Sequence, residues 1–538
     1  MANTKSFNRR DFIRALVGAS ATGALGSMGQ LALMREAVAA APAFTDYKAM
    51  VCIFLYGGND SFNMFIPNGA DNKKGYSNYQ SIRGNLAVAN NALNENSIND
   101  YHVDGTHESA YLKGLYSLAS EGIDLGINGV MPEVAQLVKA KKASIIGNVG
   151  NLVSPVTRSQ VQADTANLPL FLFAHNHQQR ALQTGQGNNL NDVGWAGRIA
   201  DNWAGINSAS PAGLNISYAG NDRMMIGKDT VPLAIRPGSP PKYMGMRKNH
   251  NTQETERRAL FKALAGMENS SPTLSFNNTS TFTTNDPFKS FYGSAKRKSL
   301  DVFDLLSTAW DNHTVSYARK DIYGGDLFSV PDKSTTGFGD EIGGGLISEL
   351  EAVAKMIDIG AKNAFSAGAE HNRQIFMIKL GGFDTHSAQA SKHPLLLRQL
   401  SLALGKFQNA MEELGHANKV TTFTMSDFGR SLSNNGDGTD HAWGAHHIVM
   451  GGDGSLGAGN LNGGKMLGTL PDLTLDGDDD FNAQGRIIPS LAQDQLNASI
   501  CRWFGVDNTL MPTIFPNLTN FALTSGADAN GYLNNLFV

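Results

Sequence analysis

Cysteine is almost absent. Two thiols in 538 residues exclude a disulfide-built scaffold, and neither lies near enough to other ligand types to begin a thiolate zinc cluster. An excess of basic charge is also lacking: 44 Lys and Arg stand against 48 Asp and Glu, a formal net charge of −4. Nothing here draws nucleic acid or an anionic membrane surface. No internal repeat is visible, and no apolar run is long and continuous enough to be a membrane span. What remains is a globular chain, 41% hydrophobic and 17% charged, able to bury one large core or two ordinary ones. Cys52 in "MVCIFLY" and Cys501 in "SICRWF" read as two isolated core thiols.

The N-terminus carries a localisation signal. "NRRDFIR" puts Arg9 and Arg10 before Phe12, followed by the Gly/Ala/Ser-rich "ALVGASATGALGSMGQLAL" and then "AVAAAPA". Charged start, apolar middle and small-residue end occur in the order of a twin-arginine export signal. The expectation is a signal over residues 1–40, cleavage near residues 39–41, and a periplasmic or secreted protein exported folded. Its partners would be the translocation machinery and a small anionic ester. No nucleic acid and no stable membrane anchor after cleavage are expected.

Four units then repeat one pattern. "AMVCIFLYGGND", "ASIIGNVGN", "RQIFMIKLGGFDTH" and "KVTTFTMSDFGR" are apolar or β-branched runs that end in Gly or Asp, and helical patterns such as "VMPEVAQLVKAKK" and "PLLLRQLSLALGKFQNAMEELG" separate them. Alternating helices and buried strands predict an α/β fold with a mostly parallel sheet sandwiched by helices. Residues 41–204 and 346–538 form its two parts. The Ser/Thr/Asn-rich and Gly-rich segment 205–345 reads as a loop-rich insertion or cap.

Ligands of such sheets sit beyond the carboxyl ends of the strands. Asp60, Asp384, His386 and Asp427 each follow a predicted strand closely, and His441, His446 and His447 come soon after, so residues distant in the chain converge on one edge. Carboxylates and imidazoles are the ligand set of first-row divalent ions. Each has a structural alternative: Asp60 as a helix cap or Asx turn, Asp427 as a partner of Arg430, and only one of His446 and His447 facing the site if they begin a strand. His393 and His416, flanking a helix, read as solvated, and His371 has no context that gives it a role. "LPLFLF" reads as a further strand that delivers His175 and His177.

The motifs "FLYGGNDSFNMFIP", "LFAHNHQQRALQTG", "GWAGRIAD", "GGFDTH", "TMSDFGR", "GTDHAWGAHHIVMGG", "QDQLNASICRWFGV" and "IFPNL" resemble, in order, the exported bacterial family catalogued as domain of unknown function fifteen-oh-one. That family is related to the alkaline phosphatase and sulfatase superfamily. The resemblance implies an alkaline phosphatase/sulfatase-like fold with one or two divalent ions, zinc, manganese or calcium among them. The metal ligands would be Asp60, Asp384, His386 and Asp427, with His441 or His446 as the last. Two departures stand out. Phe428 follows Asp427 where the superfamily has histidine, and Ala174 stands where the family has serine. No segment matches the superfamily nucleophile; Ser61, directly after Asp60, is one candidate, because a metal-bound hydroxyl loses its proton near neutral pH, and a helix-capping serine is its structural alternative. His175 and His177 are each candidates for a metal ligand or a proton donor, with His177 taken as catalytic, and His175 and Arg430 are candidates for holding the substrate anion, with Arg180 a further one. The function expected is metal-dependent hydrolysis of a phosphate or sulfate ester. The alternative is an exported binding or assembly protein that keeps the fold without turnover.

Overall fold

A computed structural model describes residues 42–97, 107–207, 210–236, 246, 250–264, 287–331, 342–365, 370–524 and 526–538. The twin-arginine segment and most of the Ser/Thr/Asn-rich stretch lie outside them. Nine strands build the central sheet: β1 Lys48–Tyr56, β2 Ala143–Gly150, β3 Asn215–Ser217, β4 Leu233–Ala234, β5 Arg373–Gly381, β6 Val420–Ser426, β7 Ala445–Gly451, β8 Met466–Leu467 and β9 Leu491–Ala492. Their order is β8-β2-β7-β6-β1-β5-β3-β4, with β9 also on β2. β7 runs antiparallel to both its neighbours, and the other pairings are parallel.

β1 is buried on both faces, as its unbroken apolar run requires. Ala49, Val51, Ile53 and Leu55 enter one core, Met50, Cys52 and Phe54 the other, and each large side chain contributes roughly 1.5–3 kcal/mol by leaving water. Seven of the chain's helices are used below: α1 Tyr76–Arg83, α2 Pro132–Lys139, α3 His175–Thr184, α4 Trp195–Asn202, α5 Gly345–Ala361, α6 Gln389–Glu413 and α7 Gln493–Phe504. Apolar residues of α2, α5 and α6 cover the first face, and those of α4 and α7 the second. The expected sandwich is therefore present. Among the described residues no helix is long and apolar enough to cross a membrane. Cys52 and Cys501 are free and buried in the second core.

Three sequence expectations change. The segment from residue 205 is not separate from the sheet: β3 and β4 extend it beyond β5, and Leu306 and Ala309 of the helix Pro287–Asn312 pack into the first core. "LPLFLF" is not a strand but a run of turns, with Phe171 and Phe173 at φ 52° and 70°; Pro169 removes a ladder donor just before them. His393 and His416 are buried, not solvated. His393 lies between the Tyr111 hydroxyl and the Asn59 amide oxygen, and His416 Nε2 faces Asp358. His371 is buried as well, and burial pushes its pKa down to about 3.

Candidate metal centre

Strand register explains the convergence. Tyr56 pairs with Gly381 and Leu55 with Ser426, so β1, β5 and β6 end level and their following loops meet. Two glycines allow the first loop to pass between the others. A Cβ on Gly57 (φ +115°) would lie 2.4 Å from the Asp384 nitrogen, and one on Gly58 (φ +80°) 2.5 Å from the Phe428 ring. Only glycine takes both the conformation and the contact without strain. Antiparallel β7 begins at the same edge, and a hairpin that sets Arg430 opposite His441 delivers that histidine to it.

Three imidazoles face one another there. His441 Nε2 lies 3.0 Å from His175 Nε2 and 2.9 Å from His386 Nε2. Asp384 Oδ1 lies 3.1 Å from the Nε2 of both His441 and His386, and Asp384 Oδ2 is 3.5 Å from His175 Nε2.

The far nitrogen of each ring is already committed. His175 Nδ1 donates to Asp427 Oδ2 at 2.6 Å, His441 Nδ1 to the Phe173 carbonyl at 2.9 Å, and His386 Nδ1 to Asp440 Oδ1 at 3.0 Å. An imidazole that donates from Nδ1 and is neutral presents a bare lone pair at Nε2. Three Nε2 atoms and a carboxylate oxygen thus close on one another, an arrangement that either a shared proton or a cation between them can hold. Carboxylate and carbonyl partners behind ligating histidines are the usual outer shell of a metal site.

Charge points the same way. With the three rings neutral, Asp384, Asp427 and Asp440 would carry three negative charges against the single positive charge of Arg430, a deficit that one divalent ion would supply. Asp427 Oδ1 is buried without a partner. The spacing fits as well: tetrahedral ligands at about 2.0–2.1 Å from zinc stand about 3.3 Å apart. The donor set, imidazole and carboxylate without thiolate, suits zinc or manganese better than calcium, which takes oxygen ligands.

Neighbours tune these groups. The hydrogen bond to Asp427 raises the His175 pKa against the effect of partial burial. Burial lowers that of His441, with help from the charges of His175 and Arg430. Partial burial works against ionisation of Asp384, but the Arg430 hydrogen bond and charge outweigh it and hold the carboxyl below its usual range. Asp384 and His386 remain accessible, with side chains 45% and 44% exposed, so a substrate can reach the centre from solvent.

Not every residue singled out in the sequence arrives here. Asp60 is fully buried in a two-pronged pair with Arg83 at the end of α1, at 2.6 and 2.9 Å, and accepts the Asn63 N–H at 3.3 Å in the manner of an Asx turn. A guanidinium fills the place of a metal. Ser61 Oγ is buried and accepts the backbone N–H of His446. His446 in turn packs on Phe62 and accepts the Asn148 N–H at Nδ1, and burial pushes its pKa down to about 3. His447 is also buried. Arg430 is 1% exposed, and four of its five N–H groups go to Asp384, Thr439 and the Gly57 carbonyl; it orients Asp384 rather than presenting an open fork to a substrate. Asp427 pairs with His175 and Gln179 rather than with Arg430. His177 stacks against Phe171, its buried Nδ1 unpartnered.

Sequence reasoning passed over Asp440 and Gln179. Asp440 stands beside His441 in "GTDHAW", and Gln179 is one helical turn beyond His175, so both were within reach of a spacing argument. A third feature had no sequence signal. Gln389 joins the two carboxylate systems by donating to Asp60 at 2.5 Å and accepting from Thr439 at 2.6 Å, while Arg430 Nε donates to Thr439 Oγ1 at 3.3 Å.

No curated protein matches the chain. Among solved structures, it is similar to a crystal structure of Ps i-CgsB in complex with k-i-k-neocarrahexaose at TM-score 0.28 and 7% identity, covering 88% of this chain and 77% of that one. It is similar to a crystal structure of a mutant alkaline phosphatase PafA at TM-score 0.20 and 10% identity, covering 72% and 64%. Residues 364–509, which include Asp384, His386, Asp427, Asp440 and His441, match the family described as "Protein of unknown function (DUF1501)".

Proposed function

We propose that the chain is a metal-dependent hydrolase of phosphate or sulfate esters, exported folded by the twin-arginine route. The observation that carries this reading is the set of three Nε2 lone pairs, each fixed by an oxygen behind its ring, closing on the Asp384 carboxylate. His175, His441 and Asp384 would hold the ion, with His386 beside them. A divalent ion there supplies a Lewis acid for an ester oxyanion and a bound water acidic enough to attack near neutral pH. Asp427, Phe173 and Asp440 keep the three rings in the ligating tautomer, and Arg430 keeps Asp384 ionised and aimed. Export of a protein already folded fits an ion taken up inside the cell.

A second reading is a metal-holding binding or assembly protein without turnover. One observation favours it: among the described residues, no serine, threonine or cysteine side chain hydrogen-bonds to His175, His386, His441 or Asp384. The hydrolase reading therefore has no side-chain nucleophile beside the cluster, and water activated at an ion held by His175, His441 and Asp384 would take the place of Ser61. Elemental analysis of the purified protein beside Asp384→Asn, followed by assays with phosphate and sulfate monoesters, tests both. Metal near one equivalent, lost together with hydrolysis in the variant, is the expected result. Metal without hydrolysis of either ester class favours the binding protein, and no metal in the wild type overturns the hydrolase reading and leaves a binding or assembly protein that keeps the fold without an ion.

A further inference from the structure

β6 is buried to its end and β1 nearly so, but β5 opens before it finishes. Arg373 to Ile378 are buried, whereas Lys379 and Gly381 are exposed and Leu380 between them is not. The cause is β3, which stops at Ser217 opposite Met377, so that only the Tyr218 N–H, donating to the Met377 carbonyl at 2.8 Å, continues the pairing. Beyond that point β5 keeps β1 on one side and has no strand on the other. Lys379 and Gly381 follow Met377 at the strand period of two and so share its face, the one turned to the second core. A Cβ on Gly381 would meet no heavy atom within 4 Å. The sheet therefore carries a solvent-open notch there.

The notch adjoins the metal centre. Gly381 is level with Tyr56, and the residue after Tyr56, Gly57, donates to Asp427 Oδ2 at 3.2 Å and lies against the Asp384 nitrogen. Asp384 is three residues beyond Gly381, at most about 11 Å along the chain, and Gly381, Gly382, Asp384 and His386 are all exposed. Helix α3 spans both places with side chains four residues apart. His175 and Gln179 reach Asp427, and Gln183 donates to the Tyr56 hydroxyl at 3.1 Å and to Asp222 Oδ2 at 3.0 Å. These groups are largely spent on one another: Tyr56 donates to Asp222 Oδ2 at 2.6 Å, and Asp222 Oδ1 takes the Met224 N–H. Lys379 differs, because among the described residues no carboxylate forms an ion pair with its ammonium. The charges of Asp222 and Glu349 are felt there, but burial raises the pKa of both, that of Glu349 to about 7, which weakens their hold on the lysine.

We propose that this notch receives the alcohol part of the ester, and that Lys379 binds a second anionic group carried on it, a carboxylate or a further phosphate. An ammonium offers donors and no acceptor, so it gains more from an anionic oxygen than from a hydroxyl or an apolar ring. The inference rests on the hydrolase reading for the ester held at the ion, whereas occupation of the notch can be measured without turnover.

The test compares wild type, Lys379→Met, Lys379→Glu, Lys379→Arg and Gly381→Leu. The substrates are the phosphate and sulfate esters of glycolate, γ-hydroxybutyrate and ε-hydroxycaproate, and butanediol bisphosphate, with butyl and methyl esters as references. The preference for an anionic ester over the butyl ester, as a ratio of kcat/KM, should fall about fivefold in Lys379→Met, the size of a partly exposed ion pair, and mainly through KM. It should reverse in Lys379→Glu and return in Lys379→Arg; whichever of the carboxylate and bisphosphate esters responds identifies the anion. Gly381→Leu fills the notch and should lower kcat/KM for the butyl and anionic esters about tenfold relative to the methyl ester, whose alcohol is too short to enter. Gly381 is not left-handed, so the melting temperature of Gly381→Leu should match the wild type's; a clear fall would make the space structural and overturn the subsite. Calorimetric titration with butanediol bisphosphate gives the second readout. Binding that depends on Lys379 and Gly381, without hydrolysis of any ester, overturns the hydrolase reading and keeps the subsite. Hydrolysis in which Lys379→Met or Gly381→Leu keeps the wild-type ratios overturns the subsite alone, and neither binding nor hydrolysis overturns both.

Discussion

Replacing Asp427 by asparagine removes one negative charge 2.6 Å from His175 Nδ1 while keeping the shape of the side chain. The amide oxygen can still accept from His175, Gln179 and the Gly57 N–H, and the new NH2 group takes the position of Oδ1, which has no partner. What is lost is the charge assistance that fixes the tautomer and makes Nε2 a better donor to a metal. A hydrogen bond to a charged group is worth about 1.5–3 kcal/mol and one to a neutral group about 0.5–1.5 kcal/mol, so the loss is about 1–1.5 kcal/mol, and at about 1.4 kcal/mol per decade this weakens zinc binding roughly 5–12-fold. That range overlaps the factor of about 10–100 typical for the outer partners of metal-bound histidines. The assay is competition for zinc with a chelator of known affinity, at fixed pH and salt, on metal-free wild type, Asp427→Asn and Asp384→Asn. Asp384→Asn removes a ligand outright and should lose more. Wild-type affinity in Asp427→Asn, with the metal-free melting temperature unchanged, would refute the tautomer argument and remove the main support for the metal centre.

Three further outcomes are expected. Ser61→Ala leaves the buried His446 N–H unpaired and should cost about 1–3 kcal/mol in urea unfolding, with hydrolysis per folded molecule unchanged; lost turnover would return Ser61 to the role of nucleophile. Gly57→Ala drives a Cβ into the Asp384 backbone at 2.4 Å in a left-handed conformation, so zinc affinity should fall at least tenfold, and an unaltered affinity would show that Asp384 does not need this contact. Asp494 in α7 is buried, and burial pushes its pKa up to about 7. The folded state then binds the proton more tightly than the unfolded one, so stability is retained in acid and declines as pH rises from about 4 to about 7. At about 1.4 kcal/mol per pKa unit, Asp494→Asn should stabilise the protein by about 4 kcal/mol at pH 8 and by half of that or less at pH 5, and equal unfolding midpoints of the two proteins at pH 8 would contradict it.

The sheet was legible because its signal is local. An unbroken run such as "MVCIFLY" has one physical solution, burial on both faces, and the Gly-Gly or Ser-Asp at its end marks the carboxyl edge. The same logic singled out Asp384, His386 and His441, which the structure brings to one edge. Asp60 misled because "YGGND" and "LGGFDTH" look alike, and what separates them is Arg83, on a helix whose packing no spacing rule gives. His175 was brought to the edge by reading "LPLFLF" as a strand; the chain turns there instead, with Phe171 and Phe173 left-handed, and His175 still reaches Asp427 from the start of a helix. His446 failed for a different reason. The period of two in β7 does separate His446 from His447, but both faces of the sheet are covered, so neither direction leads to water.

Asp60 and Asp384 show how one sequence feature divides into two uses. Each is an aspartate just past a central strand, and each carries a charge that an interior cannot hold alone. For Asp60 the chain supplies its own cation: Arg83 meets both oxygens, and the pair is closed to solvent. Asp384 shares Arg430 with the rest of the edge, stays accessible, and faces three imidazole rings at Nε2. The first arrangement is closed by the chain's own cation, whereas the second, under the proposed function, would be closed by an ion from outside. The route through Gln389, Thr439 and Arg430 joins them, so the closed pair serves the open one as an anchor. On this argument the "GGND" motif matters to the metal centre without supplying a ligand: its glycines let the loops meet, and its aspartate, locked by Arg83, fixes the hydrogen bonds that aim Arg430 at Asp384.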